Sequence, residues 1–127
     1  MSARTPEELH AQFQRHFIAG DMDALLALYE PNAVLVPQPG QVVHGHAAIR
    51  ASLAGFIAMK GTFRMQPPKT IRADDVAIVF ASWTLDAKAP DGGPIHLDGQ
   101  TADVVRRHAD GRWLFAIDSP FGAAGAG

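Results

Sequence analysis

Cysteine is absent from all 127 residues, which excludes disulfides, a thiol nucleophile and cysteine-ligated zinc and leaves any chemistry to carboxylates, imidazoles and hydroxyls. Tyrosine occurs once and tryptophan twice, so a polar aromatic tip is a scarce resource whose position matters. Neither sign of charge dominates. Eleven Lys and Arg stand against 13 Asp and Glu, scattered along the chain, and the basic footprint expected of a nucleic-acid binder is missing. Long apolar runs are missing too: the stretch Val76 to Ala81 is among the longest and falls far short of the roughly 20 residues that span a bilayer. The opening Met1-Ser2-Ala3-Arg4-Thr5-Pro6 carries no apolar segment of the export-signal kind, so the cytoplasm is the expected compartment, with no membrane and no nucleic-acid partner. There is no internal repeat. What is present, 47% apolar and 19% charged residues, is ordinary for one globular domain, placed at residues 1–122 and followed by a flexible Gly/Ala tail over 123–127.

Local signals divide the chain into helices first and strands after. Thr5-Pro6-Glu7-Glu8 reads as a helix start, with Thr5 as cap, Pro6 at the first helical position and Glu8 reaching back. Leu9, Phe13 and Phe17 recur every four residues up to a left-handed stop at Gly20. Asp21 caps a second helix carrying Leu25, Leu28 and Tyr29 and ending before Pro31. Ala33 to Val36 and Val42-Val43 suggest a hairpin, and Ile49, Leu53, Phe56 and Ile57 mark a third helix over His46 to Met59, stopped by Gly61. Strands follow over Phe63 to Arg72, Val76 to Lys88, Ile95 to His108 and Trp113 to Ser119, with Asp74-Asp75, Pro90 to Gly93 and Asp110-Gly111 as turns. Val76 to Ala81 is apolar on both pleat faces, so this strand is expected at the sheet centre, one face under the helices and the other against a partner subunit. Gly99 interrupts the alternation of its strand and predicts a bulge that bends the sheet into a cup. The expected fold class is α+β, with three N-terminal helices on a curved, mostly antiparallel sheet.

The last hairpin carries the most chemistry. With Asp110-Gly111 as a two-residue turn, Ala109 opposes Arg112 and, counting back, Asp103 falls opposite Asp118. Opposed side chains share a face with Cβ atoms about 4.5–5.5 Å apart, where two negative charges disfavour each other, so one carboxyl tends to keep its proton. The same count puts Val105 and Ala116 on the carboxylate face, taken as the pocket side, and Val104, Phe115 and Ile117 on the other, taken as the dimer surface. A one-residue bulge would reverse one strand's assignment. The bland alternative is two strand-end carboxylates satisfied by backbone or water.

The order of these elements, the Gly20-Asp21 break, Leu28-Tyr29 followed by Asn32-Ala33-Val34, Gly45-x-x-x-Ile49 and Arg107-x-x-Asp110-Gly111-Arg112-Trp113 together resemble the nuclear transport factor 2-like superfamily over nearly the whole chain. The closing Ile117-Asp118-Ser119-Pro120-Phe121-Gly122 is similar to its SnoaL-like or ketosteroid-isomerase-like branch. The resemblance implies a cone-shaped, cystatin-like roll, an apolar cavity between helices and sheet, and a homodimer through the outer sheet face. It spans isomerases, cyclases, epoxide hydrolases, dehydratases and non-catalytic modules, so activity rests on the site. Asp103 matches the position at which ketosteroid-isomerase-like enzymes keep a carboxylic acid neutral to donate to a developing oxyanion. Where those enzymes place a general-base Asp this chain has Val36-Pro37, and where they place a helix-one tyrosine it has Phe13, which argues against steroid isomerisation by that route.

The expected site is thus Asp103 and Asp118 in a cavity lined by Phe13, Phe17, Tyr29 and Val36, with Phe56, Trp83, Val105 and Ala116 completing the wall. Tyr29 fits either a ligand-facing or a core role, and Trp83 either the pocket floor or the dimer surface. His44 and His46 lack a third partner at metal-site spacing and read as turn and helix-entry residues, His16 neighbours the Phe13/Phe17 stripe without belonging to it, and Arg106 and Arg107 point to opposite faces. Two functions stay open: acid–base catalysis without metal or organic cofactor on a small, apolar, carbonyl-bearing molecule, by isomerisation, cyclisation or dehydration, and a non-catalytic ligand-binding or dimerisation module.

Overall fold

A computed structural model describes residues 2–125. The elements are α1 (Pro6–Ala19), α2 (Met22–Leu26), β1 (Tyr29–Gln38), β2 (Gln41–His44), α3 (Gly45–Ala58), β3 (Thr62–Met65), β4 (Lys69–Ala73), β5 (Val76–Lys88), β6 (Pro94–Arg107), β7 (Trp113–Asp118) and a 3-10 turn at Gly122–Gly125. The strands form one sheet in the order β2-β1-β7-β6-β5-β3, with β4 also paired to β5. Every pairing is antiparallel except β1 with β7. This is the expected α+β roll of three helices on a mostly antiparallel sheet.

Helix α1 forms as its ends dictate. The Thr5 hydroxyl accepts the Glu8 N–H at 3.0 Å, the Glu8 carboxylate accepts the Arg4 N–H at 2.8 Å, and Gly20 closes the helix at φ 69°. Leu9, Phe13 and Phe17 bury the stripe against Phe63 and Phe115 from the sheet, with ring centroids 4.8–6.2 Å apart, each ring contributing about 1.5–3 kcal/mol by leaving water. Ile49 and Leu53 do the same from α3.

Several local expectations need correction. Tyr29 opens β1 rather than closing the second helix, because α2 ends at Leu26 and the Phe115 N–H donates to the Leu28 carbonyl at 2.8 Å; Pro31 beyond it pushes Glu30 into the extended region. The left-handed residue after α3 is Lys60, φ 50°, not Gly61. The strand expected over 63–72 is broken into β3 and β4 at Gln66-Pro67-Pro68. Gly99 carries no bulge: β5 and β6 pair without interruption from Val76↔Arg106 to Lys88↔Pro94. The bulge lies in β7 instead, where Val105↔Phe115 is followed by Val104↔Ile117, leaving Ala116 as the extra residue. At the chain end, as far as it is described, the Gly40 N–H donates to the Gly125 carbonyl at 3.3 Å, and Gly125 is buried beside Val36 and Phe121. The last two residues of the expected tail, Ala126 and Gly127, lie outside the described residues.

Strand β5 shows how the sheet divides its faces. Ala77, Val79, Ala81, Trp83 and Leu85 are buried beneath the helices, while Val76, Ile78 and Phe80 on the other face remain 38%, 41% and 40% exposed.

Candidate acid–base site

The β6–β7 hairpin positions both carboxylates, by a route that differs from the simple count. Its loop has three residues rather than two: the His108 N–H donates to the Arg112 carbonyl at 2.8 Å, the Gly111 N–H donates to the His108 carbonyl at 2.9 Å, and Gly111 takes φ 87°, where a side chain is disfavoured. That shifts the register by one. The bulge at Ala116 shifts it back, so that the Val104↔Ile117 pairing, continued by one residue, sets Asp103 against Asp118, and the Ala102 N–H meets the Ser119 carbonyl at 2.9 Å. The bulge also reverses the parity of Phe115, which lies inside at 1% exposure instead of on the outer surface.

Asp103 and Asp118 are 2% and 6% exposed. One oxygen of Asp103 lies in hydrogen-bond contact with His10 Nε2 at 2.8 Å, and the other accepts from the Thr101 hydroxyl at 2.5 Å and the Ser119 N–H at 2.8 Å. Asp118 accepts a short hydrogen bond from the Tyr29 hydroxyl and also bonds Asp103. The four side chains form one chain of contacts, Tyr29–Asp118–Asp103–His10, beneath the helices. Burial, and next the negative charge of Asp103, push the Asp118 carboxyl well above its usual range, with the Tyr29 hydroxyl pulling the other way. Burial and the Asp118 charge raise Tyr29 as well, which keeps its proton on the phenol and its role that of a donor.

Asp118, Asp103 and His10 border a half-open cavity of about 60 Å³. Of the expected lining, Phe13, Phe17, Phe56, Trp83, Asp103 and Asp118 face it. Tyr29, Val36, Val105 and Ala116 do not: Tyr29 stands behind Asp118, Val105 is in the core at 0% exposure, Val36 packs near Gly125 and Ala116 is the bulge residue. Trp83 takes the pocket floor, its indole N–H donating to the Pro120 carbonyl at 2.7 Å and fixing the turn that carries Phe121 into the wall. Outside the cavity, His16 is half-buried on α1, His46 Nε2 donates to the Tyr29 carbonyl at 2.9 Å, Arg106 pairs with Glu30 at 2.8 Å and Arg107 with Asp75 at 2.5 Å. Among the described residues no group of three or more His, Asp or Glu is arranged to hold a metal ion.

His10 is the residue that sequence reasoning missed. The signal was there: His10, Phe13 and Phe17 stand at i, i+3 and i+7, which places the imidazole on the buried stripe more squarely than His16.

Comparison with known proteins agrees with this architecture. A curated relative, the epoxide hydrolase LasB of Streptomyces lasalocidi, is 32% identical over 96 residues, 75% of this chain but 33% of that protein, so the chain spans about a third of the relative's length. Among solved structures, a provisionally assigned ketosteroid isomerase from Shewanella frigidimarina superposes with TM-score 0.76 at 17% identity, covering 87% of this chain and 90% of the other. A nuclear transport factor 2-like protein with a cystatin-like fold from Novosphingobium aromaticivorans gives 0.75 at 17% identity over 94% and 80% of the two chains. Residues 9–115, from the first core leucine of α1 to the inward phenylalanine of β7, match the SnoaL-like domain, and the chain belongs to that family.

Proposed function

We propose that this protein is an acid–base enzyme acting on a small, mostly apolar molecule whose one reactive oxygen, a carbonyl or an epoxide, is taken against Asp118. The observation that carries the reading is the buried pair Asp103 and Asp118, placed at the wall of an otherwise hydrophobic cavity with its proton favoured on Asp118. A neutral carboxylic acid in a dry site donates strongly to an oxygen that gains charge, and such a placed acid is worth about 10²–10⁴ in rate. The kinship with an epoxide hydrolase supports oxygen-centred acid catalysis.

Cavity size bears on the substrate. About 60 Å³ is less than half of the ~150 Å³ that accommodates benzene in an engineered cavity. A second cleft of about 360 Å³ lies at the C-terminal ends of α1 and α3 and shares Phe17, Phe56 and Phe63 with the inner cavity. A substrate with its oxygenated end inside and its apolar remainder in this cleft fits both spaces once the phenylalanine partition turns.

The test is a panel of apolar probes: a β,γ-unsaturated ketone read by appearance of the conjugated enone, styrene oxide read as diol, and a β-hydroxyketone read by dehydration. Turnover of at least one is expected, with kcat falling as pH rises through the native Asp118 pKa. No turnover, and no thermal stabilisation by any probe, would remove the enzyme reading in favour of a binding module.

We propose also that the outer sheet face docks a second copy of this chain. Val76, Ile78, Phe80 and Ile117 leave 38–41% of their surface exposed there, side by side on the pleat, an apolar patch unusual for a monomer. Sedimentation should give a dimer at micromolar concentration, weakened at least tenfold by Phe80→Glu. A wild-type monomer at 100 μM would refute it.

A further inference from the structure

We infer that Nδ1 of His10 is the proton-accepting atom of the cavity and that Asp103 is the positioning residue that makes it so; the inference deepens the acid–base reading and rests on it only for the identity of the reaction. His10 is 2% exposed, lines the cavity and packs edge-on against Phe115 with ring centroids 5.3 Å apart. Its two nitrogens are in different states. Nε2 lies 2.8 Å from Asp103 Oδ2, whereas Nδ1 is buried without a hydrogen-bond partner among the described residues.

The tautomer follows from what surrounds Asp103. Its other oxygen already accepts from the Thr101 hydroxyl and the Ser119 N–H, so the carboxylate is oriented with Oδ2 toward the ring. A carboxylate oxygen in that place requires a donor, which puts the ring proton on Nε2 and the lone pair on Nδ1. A third group that fixes the tautomer of a base is a recurring arrangement in acid–base sites. A buried acceptor without a partner is uncommon in proteins and calls for a donor from elsewhere. The donor that enters an otherwise apolar cavity is the substrate, or a water brought in with it.

The resulting division of labour balances. With a β,γ-unsaturated carbonyl compound, Nδ1 takes a proton from the carbon between the carbonyl and the alkene, the C–H electron pair becomes the new double bond of a dienol, and Asp118 gives its proton to the carbonyl oxygen. The imidazolium keeps Nε2–H on Asp103, whose negative charge offsets the new positive one. Return of the Nδ1 proton to the far carbon and of the enol proton to Asp118 restores both groups. With an epoxide, Nδ1 takes a proton from the water whose oxygen bonds to the ring carbon while the C–O bond breaks and Asp118 protonates the leaving oxygen; His10 then gives its proton to solvent water and Asp118 regains one from it, which restores both groups. The substrate class common to both is a compact apolar molecule that presents an electrophilic carbon and its oxygen together. Asp118 and His10 are then the catalytic residues, and Asp103 lies between them.

The experiment needs no known substrate. The full-length protein is treated with bromoacetone, a small haloketone that alkylates a nitrogen bearing a free lone pair with loss of bromide, and modification at each of the six histidines is followed by peptide mass spectrometry. Beside this, 15N NMR of the untreated protein reads which nitrogen of His10 carries the proton. Wild-type protein is expected to carry it on Nε2 and to be alkylated at His10 despite the burial. Asp103→Asn keeps acceptors for Thr101 and Ser119 but turns an amide N–H toward the ring; the proton should move to Nδ1 and His10 alkylation should fall at least tenfold, with His16 and His96 unchanged. Wild-type His10 protonated on Nδ1, or left unmodified while exposed histidines react, would overturn the assignment, as would an alkylation rate indifferent to Asp103→Asn. The NMR arm on wild-type protein keeps this decisive if the variant does not fold. An unreactive probe panel combined with a reactive, Nε2-protonated His10 would strike down the enzyme reading alone.

Discussion

Asp118→Asn is expected to make the protein more stable at neutral pH while removing its acid. Asp118 is buried against Asp103, and both burial and that neighbouring charge raise its pKa well above the usual carboxylate value of 3.8. The sign follows directly. A carboxyl whose native pKa is raised binds a proton more tightly folded than unfolded, so its contribution to stability is full below the unfolded pKa near 3.8 and is lost as pH climbs through the native pKa. Asparagine removes that pH dependence and keeps the contacts: its carbonyl oxygen accepts from the Tyr29 hydroxyl and its amide donates to Asp103 in place of the carboxyl proton. A gain of about 0.5–2 kcal/mol is the scale of such a change, roughly 2–8 °C in Tm for a domain of this size. Thermal melts from pH 4 to pH 8 should show the two proteins converging at the acid end and separating toward the alkaline end. Turnover on any probe should drop about 10²–10⁴-fold over the same range. A variant less stable than wild type at pH 8, or a stability difference that does not change with pH, would contradict the raised pKa.

That the two carboxyls meet was legible in the sequence, although the path to it was not. The simple count assumed a two-residue turn and no bulge. The chain has a three-residue loop and a bulge at Ala116, and the two displacements cancel at Asp103 and Asp118. They do not cancel for Phe115, which sits between the loop and the bulge and therefore changes face. Parity arguments fail between two compensating irregularities, because nothing in Leu114-Phe115-Ala116 distinguishes an added residue from a paired one. Helix ends were legible for the opposite reason: Thr5, Asp21 and Gly20 act through atoms within three or four residues, so local sequence suffices. Tyr29 was misplaced because its conformation is set by β7, more than 80 residues further along the chain. His10 was passed over since its meaning comes from Asp103, another long-range partner, and a single imidazole on an apolar stripe carries no chemistry by itself.

Gly99 shows how a residue read for one reason is kept for another, and it makes the second large prediction. It was expected to supply a bulge, yet its strand pairs regularly. A Cβ built there would lie 2.7 Å from the Pro120 carbonyl oxygen and 3.0 Å from the Trp83 indole nitrogen, the two atoms joined by the 2.7 Å hydrogen bond across the cavity floor. The neighbour cannot give way cheaply, because one contact is backbone and the other a ring fixed between Phe63 and Phe121. Gly99→Ala therefore forces Pro120 away from Trp83, leaves a largely buried indole N–H without its acceptor, and withdraws Phe121 from the cavity wall. Overpacking costs about 1–3 kcal/mol and an orphaned buried donor about 1–3 kcal/mol more. Together they predict a loss on the order of 2–6 kcal/mol, visible as a fall of roughly 6–24 °C in Tm. Trp83 fluorescence should shift to the red as the indole gains water, and small apolar probes should bind more weakly, since the floor and one wall move together. Trp83→Phe, which removes the donor and part of the obstruction at once, should relieve much of the loss in the Gly99→Ala background. A fully additive double variant would mean that the glycine is not held by the indole.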